Sequence, residues 1–133
     1  MDIETATATP TSPVAVTVTA RGHSVVQDKP AASGGKDAGF MASELLLASL
    51  LACQHSTFVK VAAKRRVEAR VLDVAGDLEF KDGDIAALRV RFRLAVPAAV
   101  GDDAVATLLR LTDKSCTISQ VLKLPVEASF ARA

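Results

Sequence analysis

Two thiols, Cys53 and Cys116, are the residues of this 133-residue chain best suited to chemistry. A thiolate is at once a nucleophile, a metal ligand and a reductant, and two thiols can close a disulfide. Metal chemistry is the poorer fit. Cys53, His55, His23 and Cys116 count to a four-ligand zinc set, but Cys53-Gln54-His55 splays its side chains and no C-x-x-C pair exists. On a helix His55 shares a face with Glu44, Leu47, Ala48 and Leu51 and not with Cys53, which makes it an ordinary polar residue at the edge of the core. Gly34-Gly35 lacks the Lys-Ser/Thr that follows a phosphate-cradling loop. Redox chemistry and plain packing remain, since free cysteine is among the most buried residue types.

Cys53 ends the stretch Ser43-Glu44-Leu45-Leu46-Leu47-Ala48-Ser49-Leu50-Leu51-Ala52-Cys53, built of strong helix formers with no Gly or Pro. The spacing predicts a helix from about Ala42 to about Arg66, capped by Ser43 or a neighbour, with Lys64-Arg65-Arg66 on its last turn where the helix dipole favours cations. The stretch is apolar on every face, as in a helix buried on all sides, and by itself falls short of a bilayer span. Cys53 is therefore expected deep inside the protein. Cys116 lies eleven residues after Val105, in phase with Leu108 and Thr112 on a helix opened by Gly101-Asp102-Asp103. Ser115 is placed to cap a new turn, with Cys116 near a helix N-terminus, where thiolates are favoured.

The other elements must bring these helices together. Val14–Thr19 alternates as a half-buried strand, Arg21-Gly22 reads as a turn, and His23–Asp28 as the hairpin partner. Met1–Pro13 reads as a loose tail, so the domain is taken as 14–133. The Gly- and Pro-bearing run 29–39 reads as a loop delivering the chain into the central helix. Leu72, Val74, Leu78 and Phe80 share one strand face, and Leu88, Val90, Phe92, Leu94 and Val96 another. Both sets are even-numbered, so facing residues must have an even sum. That predicts an odd-length loop around Lys81–Asp84; if the sum is 166, Asp77 faces Arg89 and Asp73 faces Arg93, on a solvated arginine face. Pro125 is expected to end the last helix, and Val126–Arg132 to form a closing strand. The order is that of an α+β domain with antiparallel hairpins around a long central helix.

Composition narrows the function. Net charge is +1, and five Phe with no Tyr or Trp argue against a stacking platform or basic patch for nucleic acid. Two cysteines in a chain that is half hydrophobic do not make a secreted disulfide scaffold. With no signal peptide at the N-terminus, a reducing, cytoplasmic setting and no membrane partner are expected.

The run Gly34-Gly35-Lys36-Asp37-Ala38-Gly39 followed by the Ser43–Cys53 helix resembles the Gly-rich lead and central helix of the OsmC/Ohr family. Cys116-Thr117-Ile118-Ser119-Gln120-Val121-Leu122 resembles its second cysteine motif, and the likeness covers Val14 to the C-terminus. The resemblance implies an intertwined homodimer with active sites at its interface, and a thiol-dependent peroxidase of organic hydroperoxides and hydrogen peroxide. In it Cys53 would be the peroxidatic cysteine, oxidised to sulfenic acid, and Cys116 the resolving one. A dithiol would then reduce their disulfide, with no metal or organic cofactor. Two positions depart from the pattern. The family's functional Glu stands where this chain has Ser43, and Glu44, one residue later, falls opposite Cys53 on an ideal helix. The family's activating Arg has Arg21 or Lys36 as its counterpart here, and Lys holds a thiolate as a point charge without a bidentate fork. The resemblance thus implies Cys53, Cys116, Glu44 and Arg21 as site residues. The alternatives are a non-enzymatic dimer of the same fold that binds a small apolar ligand or senses redox state, and a fold in which both thiols only pack.

Overall fold

Helix α1, Ala42–Lys64, is the long element of the computed structural model, which describes residues 2–123. The chain divides into two compact units, Met1–Ala48 and Ser49–Ala133. The class is α+β with antiparallel strands and a long helix, as the patterning predicts.

The first unit holds a three-stranded antiparallel sheet of β1 (Thr7–Pro10), β2 (Val16–Ala20) and β3 (His23–Gln27). The β2–β3 turn is Arg21-Gly22, both at positive φ, as a two-residue hairpin requires. Strand β1 corrects the reading of residues 1–13 as a loose tail: Thr7 pairs with Thr19 and Pro10 with Val16. The strand is exposed throughout, so no apolar alternation announces it, and Pro10 is tolerated at the end of an edge strand.

Run 29–39 is a loop, but a built one. The Asp28 carboxylate is buried and accepts the N–H groups of Lys29 (2.7 Å), Lys36 (3.0 Å) and Ala38 (3.1 Å). These bonds hold its pKa below the ordinary 3.8, with the Ala38 N–H first among the causes. Gly35 packs so tightly there that a Cβ would stand 2.0 Å from the Lys29 carbonyl oxygen. At the end of the loop the Glu44 carboxylate accepts the Met41 N–H at 2.8 Å. The helix start is thus held by Glu44, the neighbour of Ser43, in half of a capping box.

The second unit joins most of α1 to a hairpin of β4 (Arg70–Lys81) and β5 (Asp84–Ala95), and to helices α2 (Asp102–Ser115) and α3 (Thr117–Val121). Asp77 pairs with Arg89, Asp73 with Arg93 and Leu78 with Leu88, the even-sum register expected. The odd-length loop is not there. The turn is the two-residue Asp82-Gly83, both at positive φ, and a bulge between Glu79 and Phe80 makes up the parity. A second bulge between Val71 and Asp73 turns Leu72 outward and Val71 toward the core. The carboxylates reach diagonally at two of the three pairs: Arg89 to Glu79, Arg91 to Asp77, and Arg93 directly to Asp73. All six partners are at least half exposed, so this is the solvated face expected.

The core centres on Phe58, Ala62 and Leu108, with Val71, Phe92 and Leu94 packed around them, and the Phe58 and Phe92 rings lie 4.9 Å apart. Helix α1 buries one line, Leu50, Gln54, Phe58 and Ala62, spaced by four. The expectation that the Ser43–Cys53 stretch is buried on all sides is therefore corrected: Ala48, Ser49 and Ala52 are exposed, and Cys53 is only half-buried. By length and composition the whole helix, unlike the Ser43–Cys53 stretch alone, is apolar enough to cross a bilayer, but its buried line makes it a core helix. Pro125 and the expected strand Val126–Arg132 lie outside the described residues.

Candidate functional site

Cys53 projects from α1 one turn before Thr57, the i+4 residue on the same face. The other half of the site comes from a break between α2 and α3. Helix α2 buries Leu108 and Thr112 at a spacing of four, which brings Cys116 to the same side one turn on. Cys116 is itself extended (φ −72°, ψ 114°), so it ends α2 and serves as the N-terminal flank of α3. The expected new turn and Cys116 at a helix start are both present. The cap expected of Ser115 is not, because Ser115 is still the last residue of α2.

The break sets the two thiols 3.0 Å apart, with the Cys116 Sγ–H donating to Cys53 Sγ. Both cysteines are free, Cys53 half-buried and Cys116 fully buried. Thr117 Oγ1 is 3.7 Å and Thr57 Oγ1 3.9 Å from Cys53 Sγ. Beneath them the buried Gln54 donates from Nε2 to Ser119 Oγ at 3.0 Å, which ties α1 to α3 beside the sulfurs. Burial pushes the Cys53 thiol up. Hydrogen bonds from the Cys116 thiol, the Ile118 N–H and the Thr117 and Thr57 hydroxyls pull it down further, from 9.0 to about 7. The lowering favours the thiolate, the form in which a cysteine is nucleophilic. An open groove of about 370 Å³ leads to it between Lys60, Val61 and Thr117.

Of the four residues implied by the resemblance, Cys53 and Cys116 meet. Arg21 and Glu44 belong to the first unit. Arg21 forms the β2–β3 turn at φ 52°, and Glu44 holds the start of α1. Lys36 is exposed, and its backbone N–H serves Asp28. The sequence reading missed Thr57, Thr117, Gln54 and Ser119. Their signal was available, since Thr57 is one turn from Cys53 and Thr117 adjoins Cys116, but hydroxyl residues are common enough to pass as surface. Among the described residues, no three His, Cys, Asp or Glu side chains gather where a metal could bind.

Comparison with known proteins bears on family and fold. The family model described as OsmC-like protein matches residues 34–130. The curated proteins give no match. Among solved structures, an OsmC-like protein from Mycoplasma pneumoniae superposes with TM-score 0.79 at 15% identity, over 92% of this chain and 88% of that one. An organic hydroperoxide resistance protein from Elizabethkingia anophelis gives 0.68 at 19%, over 92% and 89%. An organic hydroperoxide resistance protein OsmC from Legionella pneumophila gives 0.66 at 17%, over 92% and 90%. At these identities the likeness is one of fold.

Proposed function

Because this chain belongs to the OsmC-like protein family, we propose that it is a cysteine-based peroxidase of organic hydroperoxides, and of hydrogen peroxide, acting in oxidative-stress defence. Fold neighbours named for organic hydroperoxide resistance support the peroxide-stress part of this reading. The observation that carries the chemistry is the pair of free thiols 3.0 Å apart, one of them acidified to about 7.

Cys53 thiolate attacks the terminal peroxide oxygen. The O–O bond breaks, and the alkoxide takes up a proton and leaves as the alcohol. Cys53 is now a sulfenic acid. Cys116 attacks that sulfur, hydroxide leaves as water, and the Cys53–Cys116 disulfide holds the two electrons lost. A dithiol returns them by thiol–disulfide exchange in a reducing cytoplasm. Cys116 is fully buried and Cys53 is not, so the incoming thiol meets Cys53 and expels Cys116. Every step is thiol chemistry and calls for no metal or organic cofactor. The working form in this proposal is a homodimer, whose second copy covers the apolar sides of α1.

Mass mapping of reduced protein after one equivalent of cumene hydroperoxide tests the reading. A loss of two hydrogens at Cys53–Cys116 within seconds is expected, and Cys53→Ser should abolish peroxide consumption. Full turnover by Cys53→Ser would overturn it.

A further inference from the structure

Three polar side chains are buried among the described residues: Asp28, Gln54 and Thr112. Two of them serve their own neighbourhood. Asp28 builds the loop after β3, and the Thr112 hydroxyl donates to the Leu108 carbonyl of its own helix at 2.7 Å. Gln54 joins two helices, through the 3.0 Å bond from Nε2 to Ser119 Oγ. It stands in the buried line of α1 between Leu50 and Phe58, where an apolar residue would pack without the desolvation cost of an amide. Core packing therefore does not account for it.

The place of the bond is informative. Gln54 follows Cys53 on α1, and Ser119 lies three residues after Cys116. The thiol pair and the amide–hydroxyl pair are thus neighbouring contacts between the same two segments. Helix α3 has five residues and none of them is buried, so apolar burial does little to hold it. Gln120 Nε2 donates to the Asp113 carbonyl oxygen, which ties α3 to α2 and not to α1. The bonds that reach α1 from Cys116, Thr117 and the Ile118 N–H all end on the Cys53 sulfur. When that sulfur is oxidised, they lose the acceptor they were made for. The Gln54–Ser119 bond does not involve the sulfur and is unchanged by its chemistry.

We propose that Gln54 and Ser119 are positioning residues of the resolving step, whose hydrogen bond keeps Cys116 within reach of Cys53 after the Cys53 sulfur has been oxidised. The proposal rests on the peroxidase reading for the oxidant. The Cys53 sulfenic acid then has two fates. In one, Cys116 attacks the sulfur, the S–O bond breaks, hydroxide leaves as water with the Cys116 proton, and the disulfide forms. In the other, the sulfur takes the terminal oxygen of a second hydroperoxide, the O–O bond breaks, the alcohol leaves, and a sulfinic acid remains. The first fate needs the sulfurs to close from 3.0 Å to about 2.05 Å. A segment free to swing away from α1 favours the second.

The first test needs no peroxide. Ellman's reagent caps Cys53 as a mixed disulfide and releases one thionitrobenzoate. Cys116 then attacks the Cys53 sulfur and expels a second, so the second release times the approach of Cys116. Gln54→Met/Ser119→Ala removes both partners of the bond while keeping the packing, and a change of that kind leaves stability nearly as it was. The second release should slow about fivefold in this variant, the worth of one neutral hydrogen bond. Ser119→Ala alone should slow it as much, since either change removes the same bond. A second release as fast as in the wild type, or a double variant slowed by the product of the two single effects, would overturn the proposal. In the peroxide arm, the dose of cumene hydroperoxide that turns half of Cys53 into sulfinic acid should fall about fivefold in the double variant. A dose unchanged from the wild type would overturn the proposal too. If the second release depends on Gln54 and Ser119 in a protein that leaves hydroperoxide unconsumed, the peroxidase reading fails and the positioning role stands.

Discussion

Cys53 is acidified by neutral hydrogen-bond donors against the opposing effect of burial, and this fixes how its reactivity should depend on pH. Only the thiolate attacks, so the rate of iodoacetamide alkylation should rise with pH through a midpoint near 7, where an ordinary thiol has 9.0. The same shift bears on stability. A lowered folded-state pKa contributes stability that is fully present above the unfolded value and lost as pH falls through the folded one, here between 9.0 and about 7. Cys116→Ala removes the Sγ–H donor 3.0 Å away, so the alkylation midpoint should move up. It also removes the resolving thiol. After hydroperoxide, mass spectrometry should then find Cys53 as sulfinic acid where the wild type shows a disulfide. A midpoint that stays near 7 in Cys116→Ala would mean that Thr57, Thr117 and the Ile118 N–H suffice. Helical phase displayed Cys116 on the buried side of its helix, while its partnership with Cys53 was implied by the family resemblance alone. The donors were passed over although Thr57 is one turn from Cys53 and Thr117 adjoins Cys116, since hydroxyl residues are common on surfaces and only the fold shows which of them face a sulfur.

At the scale of elements, α1 contributes its whole buried line, Leu50 to Ala62, to the second unit. Its buried line meets the hairpin through Phe58, fully buried and stacked on Phe92. Phe58→Ala should cost roughly 3–5 kcal/mol of unfolding free energy in urea titration, because it removes the largest buried side chain and leaves a cavity. The ion-pair ladder on the other face of the hairpin should matter far less. Arg91→Ala breaks the contact with Asp77 at an exposed site and should change stability by less than about 1 kcal/mol. In the loop, Gly35→Ala drives a Cβ toward the Lys29 carbonyl and should cost about 1–3 kcal/mol as overpacking. Alternation displayed the hairpin register because the inward residues carry it. It hid the bulge at Leu72, where the inward phase shifts from Val71 to Val74, because Val71 and Leu72 are both apolar and no polar residue marks the shift. Asp28 likewise read as the end of a strand; only the folded loop brings the Lys36 and Ala38 N–H groups to its carboxylate.

At the scale of the whole molecule, the question is what covers the rest of α1. A helix apolar on all sides is stable in water when all its sides are buried. Here one line of four residues is buried, while Leu45, Leu46, Leu47 and Leu51 are half-buried and Val59 is 49% exposed. Sequence displayed the apolar surface of this helix but not how many chains share in burying it, because periodicity records which faces avoid water and not whose side chains they meet. In the homodimer proposed above, a second copy of the chain would cover these faces. Sedimentation equilibrium of the reduced protein should therefore read the mass of two chains down to micromolar concentration. Val59→Glu sets a charge on the exposed large apolar side chain of the helix and should shift the protein toward the monomer. Because α1 also carries Cys53, the variant should expose that thiol more fully. Alkylation would quicken, and the pKa would move back toward 9.0 as the hydrogen bonds from Thr57 and Thr117 loosen. A wild-type protein that sediments as one chain, with Val59→Glu unchanged in mass and in Cys53 reactivity, would show that the helix tolerates water on these faces and that each chain carries a complete site alone.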